Sequence, residues 1–189
     1  VTTVYNNGNI NGNLMLSVTG DNGSEFLNYG TNLVSTAYVG GNSYHNYGIL
    51  VPGGAGSTVG LDVIGSLKHY EGGEIHVDVH PMGDGDSHDV ITVTGLARIE
   101  GEIVPQTQSL MPGDYQFLTA GTLEHSGTIR DAHVFGWDLT VNGNTLTKTP
   151  TANFAPAGFN LTGNQASLAG YLQRSWDAAA ADHAALFGY

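Results

Sequence analysis

Apolar residues recur at every second position in short runs, and glycine or asparagine closes almost every run. Residues 72–127 show this best. In Glu74-Ile75-His76-Val77-Asp78-Val79-His80, Ile75, Val77 and Val79 point to one side, and Glu74, His76, Asp78 and His80 to the other. In residues 90–95, Ile91 and Val93 face inward while Thr92 and Thr94 face out. Ala97 and Ile99 continue the inward row, opposed by Arg98 and Glu100. Each run predicts a strand of only a few residues. Gly and Asn then supply the positive φ that sharp corners demand.

A coarse repeat underlies the runs. Asn6-Asn7-Gly8, Asn28-Tyr29-Gly30 and Asn46-Tyr47-Gly48 lie 22 and 18 residues apart, and His69-Tyr70-Glu71-Gly72-Gly73 follows about one interval later. Further glycine-bounded strands occur at Thr94-Gly95 and Glu100-Gly101. A spacing of ~20 residues fits one coil of an irregular solenoid. Tight hairpin signals are sparse. Asn142-Gly143, between Leu139-Thr140-Val141 and Thr145-Leu146, predicts one hairpin within residues 137–149. The alternative is a β-sandwich, with longer strands and more even turns.

The pattern changes after Asn160. Thr162-Gly163-Asn164-Gln165 fits a capping box, and Leu168, Leu172, Trp176 and Ala179 follow at helical spacing. Pro150 and Pro156 bracket an exposed linker before this helix.

Composition narrows the function classes. Only 12% of residues are charged, so Asn, Ser, Thr and Gly must carry surface polarity, as in extended surface proteins. The net charge is −12, and Lys68, Arg98, Arg130, Lys148 and Arg174 are the only cations besides histidine. Five dispersed cations cannot neutralise a track of phosphates, which excludes nucleic acid as a partner. They also disfavour anionic lipid, and a polyanion such as pectate unless Ca²⁺ supplied the charge. The absence of cysteine excludes disulfides and thiolate metal sites. Residues 1–12 have neither the basic nor the apolar region of a signal peptide, and the segment reads as the interior of a larger precursor.

The order of these pieces resembles a known family. Gly72-Gly73 with Val77-Asp78-Val79, residues 89–101, Pro112-Gly113 with residues 115–120, and Ser126-Gly127-Thr128 resemble the C-terminal passenger region of type Va autotransporters. These are Gram-negative secretion proteins with pertactin-like β-helices. Leu161-Thr162-Gly163-Asn164-Gln165 resembles the start of the helical segment before the translocator barrel. The resemblance covers about residues 44–189. Gly163 departs from it, since proline is common there. So do His76, His80 and His88, and the absence of any barrel strand.

The fold expected is all-β, a right-handed parallel β-helix (solenoid) with a C-terminal α-helical segment. Residues 1–160 form the stalk, with autochaperone-like rungs at about 73–160, and residues 161–189 form a linker toward a barrel. The resemblance implies a structural, non-enzymatic role in translocation-coupled folding and display at the cell surface of the Gram-negative outer membrane. Its partner would be the protein's own outer-membrane β-barrel. The alternative is an adhesin that binds host glycan or protein through the Asn/Tyr-rich loops of residues 5–47.

Local chemistry is sparse, and no catalytic, cofactor-binding or metal-binding residue is assigned. His76-x-Asp78-x-His80 places three metal-ligand types on one strand face, with Asp84, Asp86, His88 and Asp89 close in sequence, but no full ligand signature is present. Glu100 with Glu102, or Asp84 with Asp86, would offer a glycosidase its acid pair. Tyr5, Tyr29, Tyr38, Tyr44 and Tyr47 would offer sugar platforms, or simply stack between rungs. No Gly-x-Ser-x-Gly elbow marks a serine nucleophile.

Overall fold

The chain folds as a parallel β-solenoid followed by one helix. The computed structural model describes residues 2–15, 23–54, 60–80, 87–107 and 110–187. The strands in chain order are β1 (Thr3–Asn6), β2 (Asn9–Asn11), β3 (Leu14–Met15), β4 (Glu25–Asn28), β5 (Thr31–Val34), β6 (Thr36–Asn46), β7 (Ile49–Pro52), β8 (Leu61–His69), β9 (Glu74–His80), β10 (Ser87–His88), β11 (Ile91–Ile99), β12 (Glu102–Thr107), β13 (Tyr115–His125), β14 (Thr128–Ile129), β15 (Phe135–Asn142) and β16 (Thr145–Ala152). Helix α1 spans Gly163–Phe187.

Two sheets take successive strands alternately. β1, β4, β6, β8, β11 and β13 stack in parallel in one, and β2, β5, β7, β9, β12 and β14 in the other. Parallel pairing throughout the body excludes the sandwich, whose sheets are antiparallel. Antiparallel pairs occur where β10 meets β9, and at the C-terminal end, where β16 adds to β13 and β15 to β16.

Register lines the apolar residues into columns. Val4, Phe26, Tyr44, Leu67, Ala97 and Leu123 form one. Leu14, Ala37, Val63, Val93 and Ala120 form another. Ile10, Asn32, Leu50, Ile75, Ile103 and Ile129 form the third, in which Asn32 donates to the buried Tyr44 hydroxyl at 2.7 Å. The expected inward row of Ile75, Val77, Val79, Ile91, Val93, Ala97 and Ile99 is buried.

The strands are longer than their alternation suggested. Residues 91–99 form one strand with a register shift between Val93 and Leu96. Glycines make this bend possible. A Cβ at Gly95 would lie 2.7 Å from the Gly65 carbonyl oxygen, and one at Gly121 would lie 2.5 Å from that of Thr94.

The Asn-x-Gly repeats prove to be the second corner, for a reason the pattern did not show. Gly8, Gly30 and Gly48 are not in the left-handed region. Gly30 and Gly48 are required by proximity, because a Cβ there would collide with the carbonyl of Gly8 or Gly30 in the preceding rung. The asparagines point inward as a buried ladder. Asn6 Nδ2 donates to Asn28 Oδ1 at 2.7 Å, Asn28 Nδ2 to Asn46 Oδ1 at 2.8 Å, and Asn46 Nδ2 to His69 Nδ1 at 3.1 Å. Each also donates to a main-chain carbonyl of the next rung: Thr31, Ile49 or Glu74. Since Asn46 Nδ2 can only donate, His69 Nδ1 accepts, and Nε2 donates to the Glu102 carbonyl at 3.3 Å. Beyond His69 the register position is taken by Ile99.

Two outcomes test the ladder. Asn28→Ala should destabilise the protein by about 2–4 kcal/mol in urea unfolding, because it strands a buried oxygen of Asn46 and the Ile49 carbonyl. A loss too small to measure would show that the ladder is dispensable. Burial lowers the His69 pKa from 6.5 to about 4, so the folded ring stays neutral where the unfolded ring takes a proton. Its stabilisation is complete above pH ~6.5 and is lost as pH falls toward 4, by about 3 kcal/mol. His69→Asn extends the ladder with a group that does not titrate and should remove this part of the acid sensitivity. Identical stability–pH curves for the two proteins would refute the assignment.

Candidate functional site

The two ends of the solenoid differ, and the candidate site is the N-terminal one, which is open among the described residues. At the N-terminal end, β1, β2 and β3 form the first rung. Val4, Ile10 and Leu14 head the three apolar columns there and are only partly buried, although each packs on the core. At the corner, Asn6 Oδ1 accepts the Gly8 N–H at 3.0 Å.

The C-terminal end is covered along the β13 edge, while Leu123 and Ile129, which end two of the three columns, are partly buried like the column heads. β16 lies antiparallel on β13, so Leu146 seats on Leu118 and both are fully buried. The two-residue turn of this hairpin is Gly143-Asn144, with Gly143 at φ +58°, one residue later than the expected Asn142-Gly143. Pro150 belongs to the strand and does not begin a linker. It is buried opposite Trp137, beyond the part of β16 that pairs with β13, where its missing N–H costs no ladder bond.

Helix α1 packs on this hairpin. The capping box forms as predicted: the Thr162 N–H donates to Gln165 Oε1 at 2.8 Å, and the Gln165 N–H to Thr162 Oγ1 at 3.5 Å. The docked face is rotated from the predicted one. Ala169 is buried, Gln173 Oε1 accepts the Phe154 N–H at 3.3 Å, and Trp176 meets Phe135 with ring centroids 5.5 Å apart. Leu168 and Leu172 of the predicted stripe lie exposed, because Trp176 and Phe135 orient the helix. The Phe187 side chain lies outside the described residues.

Beneath the hairpin lies a buried charge cluster. Lys148 follows Leu146 in the inward phase of β16 and is fully buried, with Nζ 5.2 Å from the Phe117 ring centroid and 5.8 Å from that of Trp137. Among the described residues Nζ has no hydrogen-bond partner. Burial lowers its pKa to about 7, against the opposing pull of the Asp89 and Asp78 carboxylates. Asp89 is fully buried; burial raises its pKa to about 7, while the Asp78 N–H, 2.8 Å from Oδ2, and the charge of Lys148 favour its ionised form. Asp78 was expected to face solvent and is also buried, because β10 and Asp89 fold over β9.

The other sequence candidates are dispersed. His76 Nε2 lies 2.6 Å from Glu74 Oε2, apart from the Asp78–Asp89 contact. The side chain of His80 and all of Asp84 and Asp86 lie outside the described residues. His88 Nε2 donates to the Gln116 carbonyl at 2.9 Å. No group of three or more metal-ligating side chains is assembled among the described residues.

Glu100 and Glu102 do line one groove of about 640 Å³, with Glu71, Glu74, Ser126 and Thr128. Arginines hold both carboxylates: Arg98 Nε is 2.8 Å from Glu100, and Arg130 bridges Glu102 at 3.1 Å and Glu74 at 2.8 Å. Both carboxylates of the pair are thus engaged in ion pairs with guanidinium groups.

The tyrosines stack between rungs. Tyr29–Tyr47 and Tyr47–Tyr70 centroids are 4.9 and 4.2 Å apart with planes within 8°, and Tyr5 stacks more loosely on Tyr29 at 6.5 Å. The facing rings of Tyr29, Tyr47 and Tyr70 cover one another, while Tyr5 at the first rung is 60% exposed. Tyr44 is core, and the Tyr38 side chain lies outside the described residues.

No protein-family model and no curated protein matches this chain.

Lys148 escaped sequence reasoning, although its alternation with Leu146 was a signal. Lys148→Met should raise the titration midpoint of Asp89 above about 7, by removing the charge that favours its ionised form. Carboxyl-detected NMR against pH reads this directly. An unmoved midpoint would show that the two groups do not interact.

Proposed function

We propose that this chain is the structural base and folding template of a surface-displayed β-helix, the autochaperone-like end of an autotransporter passenger. The observation that carries this reading is the asymmetry of the ends. At the C-terminal end the hairpin of β15 and β16 pairs with the edge of β13, while among the described residues no strand pairs with the outer edges of β1 and β2. Stacked coils gain stability mainly from their neighbours, so a closed end with one open edge gives folding a direction. On this reading the chain catalyses nothing and stands at the outer face of a Gram-negative outer membrane. Its partner is the protein's own translocator barrel, into which the helix leads.

A paired substitution tests the direction. Val93→Asp places a charge in the column next to the covered end, and Phe26→Asp does so near the open end. Hydrogen exchange should show protection lost throughout the Val93→Asp protein. In the Phe26→Asp protein, β8 to β16 should stay protected. Equal loss in both, or survival of the first rungs in the Val93→Asp protein, would overturn the template reading.

A further inference from the structure

We propose that the open first rung takes one more β-coil, placed ahead of β1, and selects it by an Asn-x-Gly step in register with Asn6 and Gly8. This rests on the template role proposed above and adds the chemistry by which the incoming coil is recognised.

The ladder has a polarity. Every asparagine in it gives Nδ2 forward, to the ladder residue of the next rung and to the first carbonyl of that rung's second-sheet strand. Asn6 therefore presents Oδ1 backward. That oxygen accepts the Gly8 N–H and has a second lone pair for an amide donated from a preceding rung. The same geometry assigns the Asn9 carbonyl, at the start of β2, as the second acceptor.

Gly8 gives independent support. A Cβ at Gly30, Gly48 or Gly127 would strike the corner carbonyl of the preceding rung. A Cβ at Gly8 would meet nothing within 4 Å. Nothing among the described residues demands glycine there, whereas the corner of a preceding coil would. The partly buried Val4, Ile10 and Leu14 offer that coil the apolar columns to continue. A second copy of the chain does not fit, because its own last rung is covered by β16.

The test adds a coil to the chain from Thr3 onward. Glu25 pairs with both Thr3 and Ser43, so a copy of residues 25–42 joined directly ahead of Thr3 puts each residue one rung before its counterpart. Amide exchange in the copied coil is compared for three proteins: the plain extension, the extension with its copied ladder Asn changed to Leu, and the extension carrying Gly8→Ala. The expected result is protection in the first and at least about tenfold faster exchange in the other two, from the loss of a buried hydrogen bond or of corner clearance. Unextended Gly8→Ala should melt with the unaltered chain, which separates a docking defect from a folding defect. Equal protection in all three would overturn the Asn-x-Gly rule and leave the template role standing. A copied coil unprotected in every version would overturn both.

Discussion

The solenoid depends on how closely successive main chains approach at the Asn-x-Gly corner. There the glycine carbonyl accepts the first N–H of the next second-sheet strand: Thr31 from Gly8 at 2.9 Å, Ile49 from Gly30 at 2.8 Å and Glu74 from Gly48 at 2.9 Å. The space a Cβ would need is already filled by carbonyl oxygen. This approach also turns carbonyls into a dry interior, where an unmatched acceptor is costly. The asparagine amides supply the missing donors, and the spacing they fix lets the three apolar columns run in register.

Parity was the legible part of the sequence. Ile75, Val77 and Val79, and Ile91 and Val93, could be assigned to the interior because a strand has two sides and only one was apolar. The recurrence of Asn-x-Gly gave the coil length, since its offsets are the offsets of the paired strands. Parity names a side but not what covers it. Asp78 was on the polar side, and the segment holding Asp89 folds over that side and buries both. The role of the asparagines was hidden for a related reason. Asn beside Gly reads as a turn in any local window, and only pairing across 22 and 18 residues turns the side chain into a ladder member.

The two ends solve different problems. In the body each rung covers the next with apolar residues and one line of amides. At the covered end a lysine occupies an inward position, with aromatic rings at Nζ and two buried aspartates to offset its charge. An apolar side chain of similar length would cost less desolvation there. Lys148 instead ties the inner strand of the hairpin to the segment after β9 through charge, and that matching depends on the hairpin sitting in one register.

The tyrosine stack gives the molecule an optical address. Tyr29, Tyr47 and Tyr70 lie nearly coplanar in orientation and within 5 Å of their neighbours, close enough for their electronic transitions to couple. Both tryptophans, Trp137 and Trp176, belong to the hairpin and helix of the opposite end. Near-ultraviolet circular dichroism from the coupled phenols and indole fluorescence therefore report on separate regions of one chain. The protein carries, without labels, one chromophore for its stacked rungs and another for its C-terminal hairpin and helix.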